Sequence, residues 1–299
     1  MNGPPIVFDR KLLARRRVRA TKAGPSDFLL RHVADDMLDR LATVQRRFGV
    51  AADIGTATPF LVDAVAKSGR ADRVVRLAPS VEPAAAGMSL VVGDEEALPF
   101  ALQSLDLAVS ALSLHFVNDL PGVFAQVRRA LRPDGLFLAA LLGGETLREL
   151  AESFALAESE VTGGASPRVA PLVEVRAAGA LLQRAGFALP VVDQDRVTVR
   201  YADPLALMRD LRAMGAGNVL TERSRRPLRR DVLVRAAAAY AERFADADGR
   251  IRATFDVISL SGWAPHESQQ QPLKPGSAKA RLADVLGTVE RSAGQKPTG

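Results

Sequence analysis

The chain of 299 residues contains no cysteine. Disulfides, a thiol nucleophile, thiolate-held zinc and cysteine-ligated iron–sulfur clusters are excluded together. Histidine is scarce too. His32, His115 and His266 are the only three, and no His-x-Asp or His-x-Glu pair accompanies them, so the sequence assigns no metal site. Aromatic residues make up 5% of the chain and do not interleave its basic runs. That removes the stacking platform of a single-strand nucleic-acid binder, and no nucleic-acid partner is expected. The longest apolar run, Leu136 to Leu142, falls far short of the roughly 20 residues that a membrane-spanning helix needs.

What is present suits one large domain with additions. Apolar residues are 47% of the chain and charged residues 25%, enough for a full core. The formal charge of +6 is unevenly spread. Arg10, Lys11, Arg15, Arg16, Arg17, Arg19 and Lys22 crowd the first segment, and Arg223, Arg225, Arg226, Arg229 and Arg230 crowd a second. Such clusters either bind phosphates or an acidic protein, or form a solvated surface. The first cluster also has the composition of a mitochondrial transit peptide. Against that, Asp9 interrupts it and it runs into a domain helix, Asp27 to Phe48, with Phe28, Leu29, Val33, Met37, Leu38 and Leu41 at helical spacing.

Strands and helices then alternate. Strands are expected at Val50–Gly55, Arg73–Leu77, Met88–Val92, Leu105–Leu114, Leu136–Leu142, Leu189–Tyr201 and Ile251–Trp263. Helices are expected at Pro59–Lys67, between Asp119 and Arg132, at Glu145–Glu160 and at Val173–Ala185, the last ended by Gly186. Strand, helix and strand in that order give parallel crossovers, with ligand sites beyond the carboxyl ends of the strands. Five regions follow: a helical extension (1–48), a core (49–202), a helical lid insertion (203–249), the last strand and terminal loop (250–278), and a tail read as disordered (279–299).

The turn after the first strand is Asp53-Ile54-Gly55-Thr56-Ala57-Thr58. Asp53 and Gly55 fit an Asp-x-Gly-x-Gly turn whose bare backbone lets a cofactor approach, but Ala57 replaces the second glycine. The end of the second strand, Arg76-Leu77-Ala78-Pro79-Ser80, has no acid to accept from ribose hydroxyls. Losing one such charged hydrogen bond weakens binding about ten- to a hundredfold. Asp94 and Glu95 stand where a carboxylate recognises an adenine amino group, or else form a solvated acidic turn. Asp53, Gly55, Thr56, Asp94 and Glu95 are therefore the expected cofactor contacts. His32 reads as structural. His115 either touches cofactor or substrate, or plugs a strand end.

Several strings are similar to one family. They are Phe8-Asp9-Arg10, Asp94-Glu95-Glu96 with Leu98-Pro99-Phe100, and Ser110-x-x-Ser113-Leu114-His115-x-Val117-Asn118-Asp119-Leu120-Pro121. Further strings are Leu142-Gly143-Gly144-x-Thr146-Leu147, Gly163-Gly164-x-Ser166-Pro167, Leu211-x-x-Met214-Gly215-x-x-Asn218, and Gly262-Trp263 running to His266-Glu267-Ser268-Gln269 with Pro272 and Gly276-Ser277-Ala278. They resemble the methyltransferase-like assembly factors of respiratory complex I, whose mitochondrial member hydroxylates an arginine on a quinone-site subunit. The resemblance spans nearly all of residues 7 to 278.

The resemblance implies a class I S-adenosylmethionine-dependent methyltransferase fold: an α/β, Rossmann-like, seven-stranded sheet with an N-terminal helical extension and a helical lid between the last two strands. It implies S-adenosylmethionine as cofactor, bound weakly or lost given the altered turn, and a protein substrate, a complex I quinone-site subunit. It implies His115, His266 and Glu267 as catalytic candidates, and Asn118, Trp263 and Gln269 as substrate contacts. With Phe8 already inside the domain, a bacterial cytoplasmic protein is expected. Three functions stay open: an arginine-modifying assembly factor, a small-molecule or acyl-carrier methyltransferase, and a scaffold that has lost its cofactor.

Overall fold

A computed structural model describes residues 5–80, 89–269 and 287. In chain order the elements are α1 (Arg10–Ala23), α2 (Phe28–Thr43), β1 (Phe48–Ile54), α3 (Phe60–Lys67), β2 (Ala71–Ala78), β3 (Ser89–Val92), β4 (Leu105–Ala111), α4 (Leu120–Ala130), β5 (Leu131–Gly143), α5 (Arg148–Thr162), α6 (Val175–Arg184), β6 (Ala188–Tyr201), α7 (Pro204–Ala213), α8 (Arg230–Phe244) and β7 (Ile251–Trp263). The seven strands form one sheet in the order β3-β2-β1-β4-β5-β7-β6. All neighbours are parallel except the two pairs that β7 makes.

The centre of the sheet is where the apolar runs lie. Every residue of β4 is buried, as expected of a parallel strand covered on both faces. On one face α2 and α3 pack Val33, Met37, Leu41, Leu61 and Val65 against β1, β4 and β5. On the other α4 and α6 add Phe124, Val127 and Leu182 against Phe137 and Leu260. Asp119 caps α4 by accepting from Gly122 N, with Pro121 in the first turn.

The extension contains two helices where the sequence pattern marked one. Asp9 caps α1 by accepting from Leu12 N, and Gly24 ends it with φ of 92°. Helix α1 hides its periodicity because an arginine, Arg17, shares its buried stripe with Leu13 and Ala20. The insertion between β6 and β7 supplies α7 and α8. Leu207, Val232, Ala236 and Tyr240 are packed against α5 and β7 in a third cluster, while residues 214–220 line a cavity together with Ala111, Leu112 and Leu142 at the carboxyl ends of β4 and β5.

Contacts divide the chain into two compact units, Met1–Pro265 and His266–Gly299. The second lies almost wholly outside the described residues, as do the segment Pro272–Ala278 and the expected tail 279–299. No helix among the described residues is long and apolar enough to cross a membrane.

Candidate functional site

The carboxyl ends of β1, β4 and β5 converge on the turn at Gly55, which has φ of 72°. That conformation favours glycine. Asp53 is wholly buried and turned inward. It accepts from the Thr56 hydroxyl and, at 3.3 Å, from Arg76 Nη1. Thr56 Oγ1 in turn accepts from Ala111 N at 3.1 Å. Asp53 and Thr56 thus hold the turn in shape and tie β1 to β4; neither offers its side chain to a ligand.

Above the turn lies an ion cluster. Arg17, reaching in from α1, donates to Gly55 O at 3.3 Å, to Glu95 Oε1 at 3.0 Å and to Ser113 Oγ at 3.1 Å. Ser113 Oγ is also 2.8 Å from Glu95 Oε1. Arg10, two helical turns earlier on α1, meets both Glu95 and, at 2.8 Å, Asp94. Glu95 is 2% exposed. Burial pushes its carboxyl up, but Arg17 and Arg10 together outweigh this and hold it below the usual range, so it stays ionised. The Phe116 ring lies 5.8 Å from the Arg17 guanidinium carbon. Asp94 and Glu95, the expected adenine contacts, are engaged by arginines of the chain itself.

His115 is buried beside this cluster and lines a cavity of about 790 Å³. Its Nδ1 accepts from Leu142 N at 3.4 Å. Burial, reinforced by Arg17, lowers its pKa to about 3, so the imidazole is neutral at ordinary pH.

Two of the expected substrate contacts, Asn118 and Trp263, do not line this cavity. Asn118 Oδ1 accepts from Val7 N at 2.8 Å and Phe8 N at 2.7 Å, and its Nδ2 donates to Phe8 O at 3.3 Å. Its side chain is used up in strapping the N-terminal segment to the sheet. Trp263 pairs with Leu136, whereas Asp256 pairs with Gly143 at the cleft end. Because β7 runs antiparallel, Trp263 sits roughly 20 Å down the sheet from the strand ends, half-buried among core residues. His266, Glu267 and Gln269 belong to the second unit. There His266 Nδ1 and Ser268 Oγ are 2.7 Å apart, and Gln269 N donates to His266 O at 3.1 Å.

Arg10 and Arg17 are the residues the sequence reading left in an undifferentiated basic run. Their signal was spacing: positions 10, 13, 17 and 20 fall on one face of a helix, and 13 and 20 are apolar.

The described residues crowd the seat that S-adenosylmethionine takes in this fold. The Glu95 side chain lies so close over the turn that a Cβ at Gly55 would collide with it, and Arg17 takes the Gly55 carbonyl. At the end of β2, where ribose would bind, Arg17, Arg76, Pro79 and Ser80 bound a space of about 10 Å³, no more than one water could use.

The strand order with β7 reversed, and a glycine turn after β1 at the switch point of the sheet, define a class I methyltransferase fold. Residues 52–139 match the family model described as a methyltransferase domain. Among solved structures, a putative methyltransferase from Bacillus halodurans is similar with TM-score 0.53 and 13% identity, over 78% of this chain and 99% of that one. The 4+2 cyclase SpnF is similar with TM-score 0.51 and 16% identity, over 89% and 99%. These likenesses establish the fold alone. Closer in sequence is the mitochondrial arginine-hydroxylase NDUFAF5 of Danio rerio, 38% identical over 292 residues covering 93% of this chain and 89% of that one. The Homo sapiens protein of the same name is 36% identical over 287 residues, covering 93% and 83%. A malonyl-acyl-carrier protein O-methyltransferase of Xylella fastidiosa is 36% identical over 276 residues, covering 89% and 90%. The chain belongs to the methyltransferase-like arginine-hydroxylase family, within the class I methyltransferase superfamily.

Proposed function

We propose that the chain modifies an arginine side chain of a protein partner, a subunit at the quinone site of respiratory complex I, and that the target guanidinium is received where Arg17 now sits. One observation carries this reading: a guanidinium is held in the cleft by a carbonyl, a buried carboxylate and a hydroxyl, Gly55 O, Glu95 and Ser113. That donor–acceptor match suits the fixed fork of an arginine. Helix α1 must withdraw for a substrate to enter. His115, neutral and adjacent, has Nδ1 occupied by Leu142 N, so its Nε2–H is left to donate a hydrogen bond, and the ring does not carry charge at working pH. Purified partner from cells with and without the chain, digested and weighed by mass spectrometry, tests the proposal. A gain on a single arginine of one oxygen, drawn from dioxygen with two electrons from an added reductant, or of one methylene, drawn from S-adenosylmethionine, is expected, and is lost in Glu95→Gln. No mass change on any arginine of the partner would sink it.

S-adenosylmethionine is the cofactor of this fold, and here we propose weak binding. Calorimetry should give a dissociation constant no tighter than about 10 μM, improved about tenfold in Ala78→Asp by one recovered charged hydrogen bond. Submicromolar binding by the parent chain would refute this.

A further inference from the structure

The cavity of about 790 Å³ beside the guanidinium seat has walls of one charge sign. Its interior is apolar, floored by Ala111, Leu112 and Leu142 at the ends of β4 and β5 and roofed by Leu150, Phe154 and Leu211. Among the described residues six arginines line it, Arg16, Arg17, Arg19, Arg168, Arg209 and Arg212, and no aspartate or glutamate does. Arg17 and Arg168 are paired with Glu95 and Glu158. The other four make no ion pair among the described residues. Of these, Arg19, Arg209 and Arg212 are exposed and form the mouth. Arg16, half-buried, lies in the field of Arg223, Arg19 and Arg212, partly offset by Asp9; burial and the net repulsion draw its pKa below the ordinary value. Two leucines on the wall, Leu112 with φ of 50° and Leu147 with φ of 58°, hold left-handed backbone conformations, strain of a kind that gathers at ligand sites.

A space of this size falls within the range of small-molecule sites. Cations with no carboxylate among them repel a guanidinium and attract an anion, while the apolar interior gains by burying hydrocarbon. We infer that this cavity binds an amphiphile, an acyl chain held inside with a single anionic group, carboxylate or phosphate, at the arginine mouth. Gly55, Glu95 and Ser113, which hold Arg17, do not line it. Arg17 and His115 do line it, so the cavity adjoins the guanidinium seat, and its ligand binding can be measured whether or not the chain modifies arginine.

The test is calorimetry on the full chain with three probes of equal length below their micelle concentrations: dodecanoate, dodecyl phosphate and dodecyltrimethylammonium. Both anions should bind at least about tenfold more tightly than the cation. Tighter dodecanoate indicates a free fatty acid as the source, and tighter dodecyl phosphate a phosphorylated one. Shortening dodecanoate by one methylene should weaken it roughly fourfold. The surface pair Arg209→Gln/Arg212→Gln should weaken both anions by about tenfold or more with an unchanged melting temperature. Binding of the cation within about threefold of the anions, absence of binding by all three, or anion binding untouched by the double substitution would each overturn the inference.

Discussion

Glu95→Ala should destabilise the protein by about 3 to 5 kcal/mol in urea unfolding, a large part of the 5 to 15 kcal/mol that holds a typical domain together. The carboxylate is the meeting point of Arg17, Arg10 and the Ser113 hydroxyl. Without it one guanidinium is left fully buried and a second mostly so, since the Arg17 and Arg10 side chains are 8% and 14% exposed. Desolvation costs that the pair had offset are then unopposed. The apolar double replacement Glu95→Leu/Arg17→Met removes both charges at similar volume and should recover most of the loss. A single-variant loss below about 1 kcal/mol, the range of exposed ion pairs, would show that α1 does not seat its arginine in the cleft in solution.

Acid should weaken the fold through His115. Its folded-state pKa of about 3 lies below the ordinary 6.5, so the folded protein holds the ring neutral while the unfolded chain protonates it. This contribution is fully present above pH 6.5. It declines as pH falls from 6.5 toward 3, by about 1.4 kcal/mol per pH unit. Glu95, depressed from 4.5, adds its own loss only below that value, so the interval from 6.5 to 4.5 reports on the histidine. His115→Gln should remove the slope there: the stability difference between parent and variant should shift by about 2 kcal/mol between pH 7 and pH 5. Parallel stability curves across that interval would mean that the ring is solvated.

The alternating apolar runs made the sheet legible, because β4, β5 and β7 must be apolar along their length to lie between helices. The glycine turn was legible because only glycine accepts its φ cheaply. Other features were set by long-range geometry that local pattern does not encode. Trp263 reads as a binding wall until the antiparallel register of β7 places it at the far end of the sheet from Gly143. Asn118 reads as a substrate contact until residues 7 and 8 return across more than a hundred positions to claim both ends of its amide. Arg17 was hidden for the opposite reason. A charge on a buried helical stripe looks like a surface residue until its partner, Glu95, arrives from a loop 78 positions away.

The seating of Arg17 makes the protein its own competitor. A guanidinium attached to the same chain stands at an effective concentration in the millimolar range for a short tether, and an outside arginine must displace it. If the cleft is open about 1% of the time, the apparent affinity of any ligand for it falls about a hundredfold from its intrinsic value. A partner that draws α1 away removes that factor at once. The polar side of the helix, with Lys11, Arg15, Arg19 and Lys22 turned to solvent, gives an acidic partner the handle. On the proposed function, recognition of a substrate arginine and release of the internal one would be a single event.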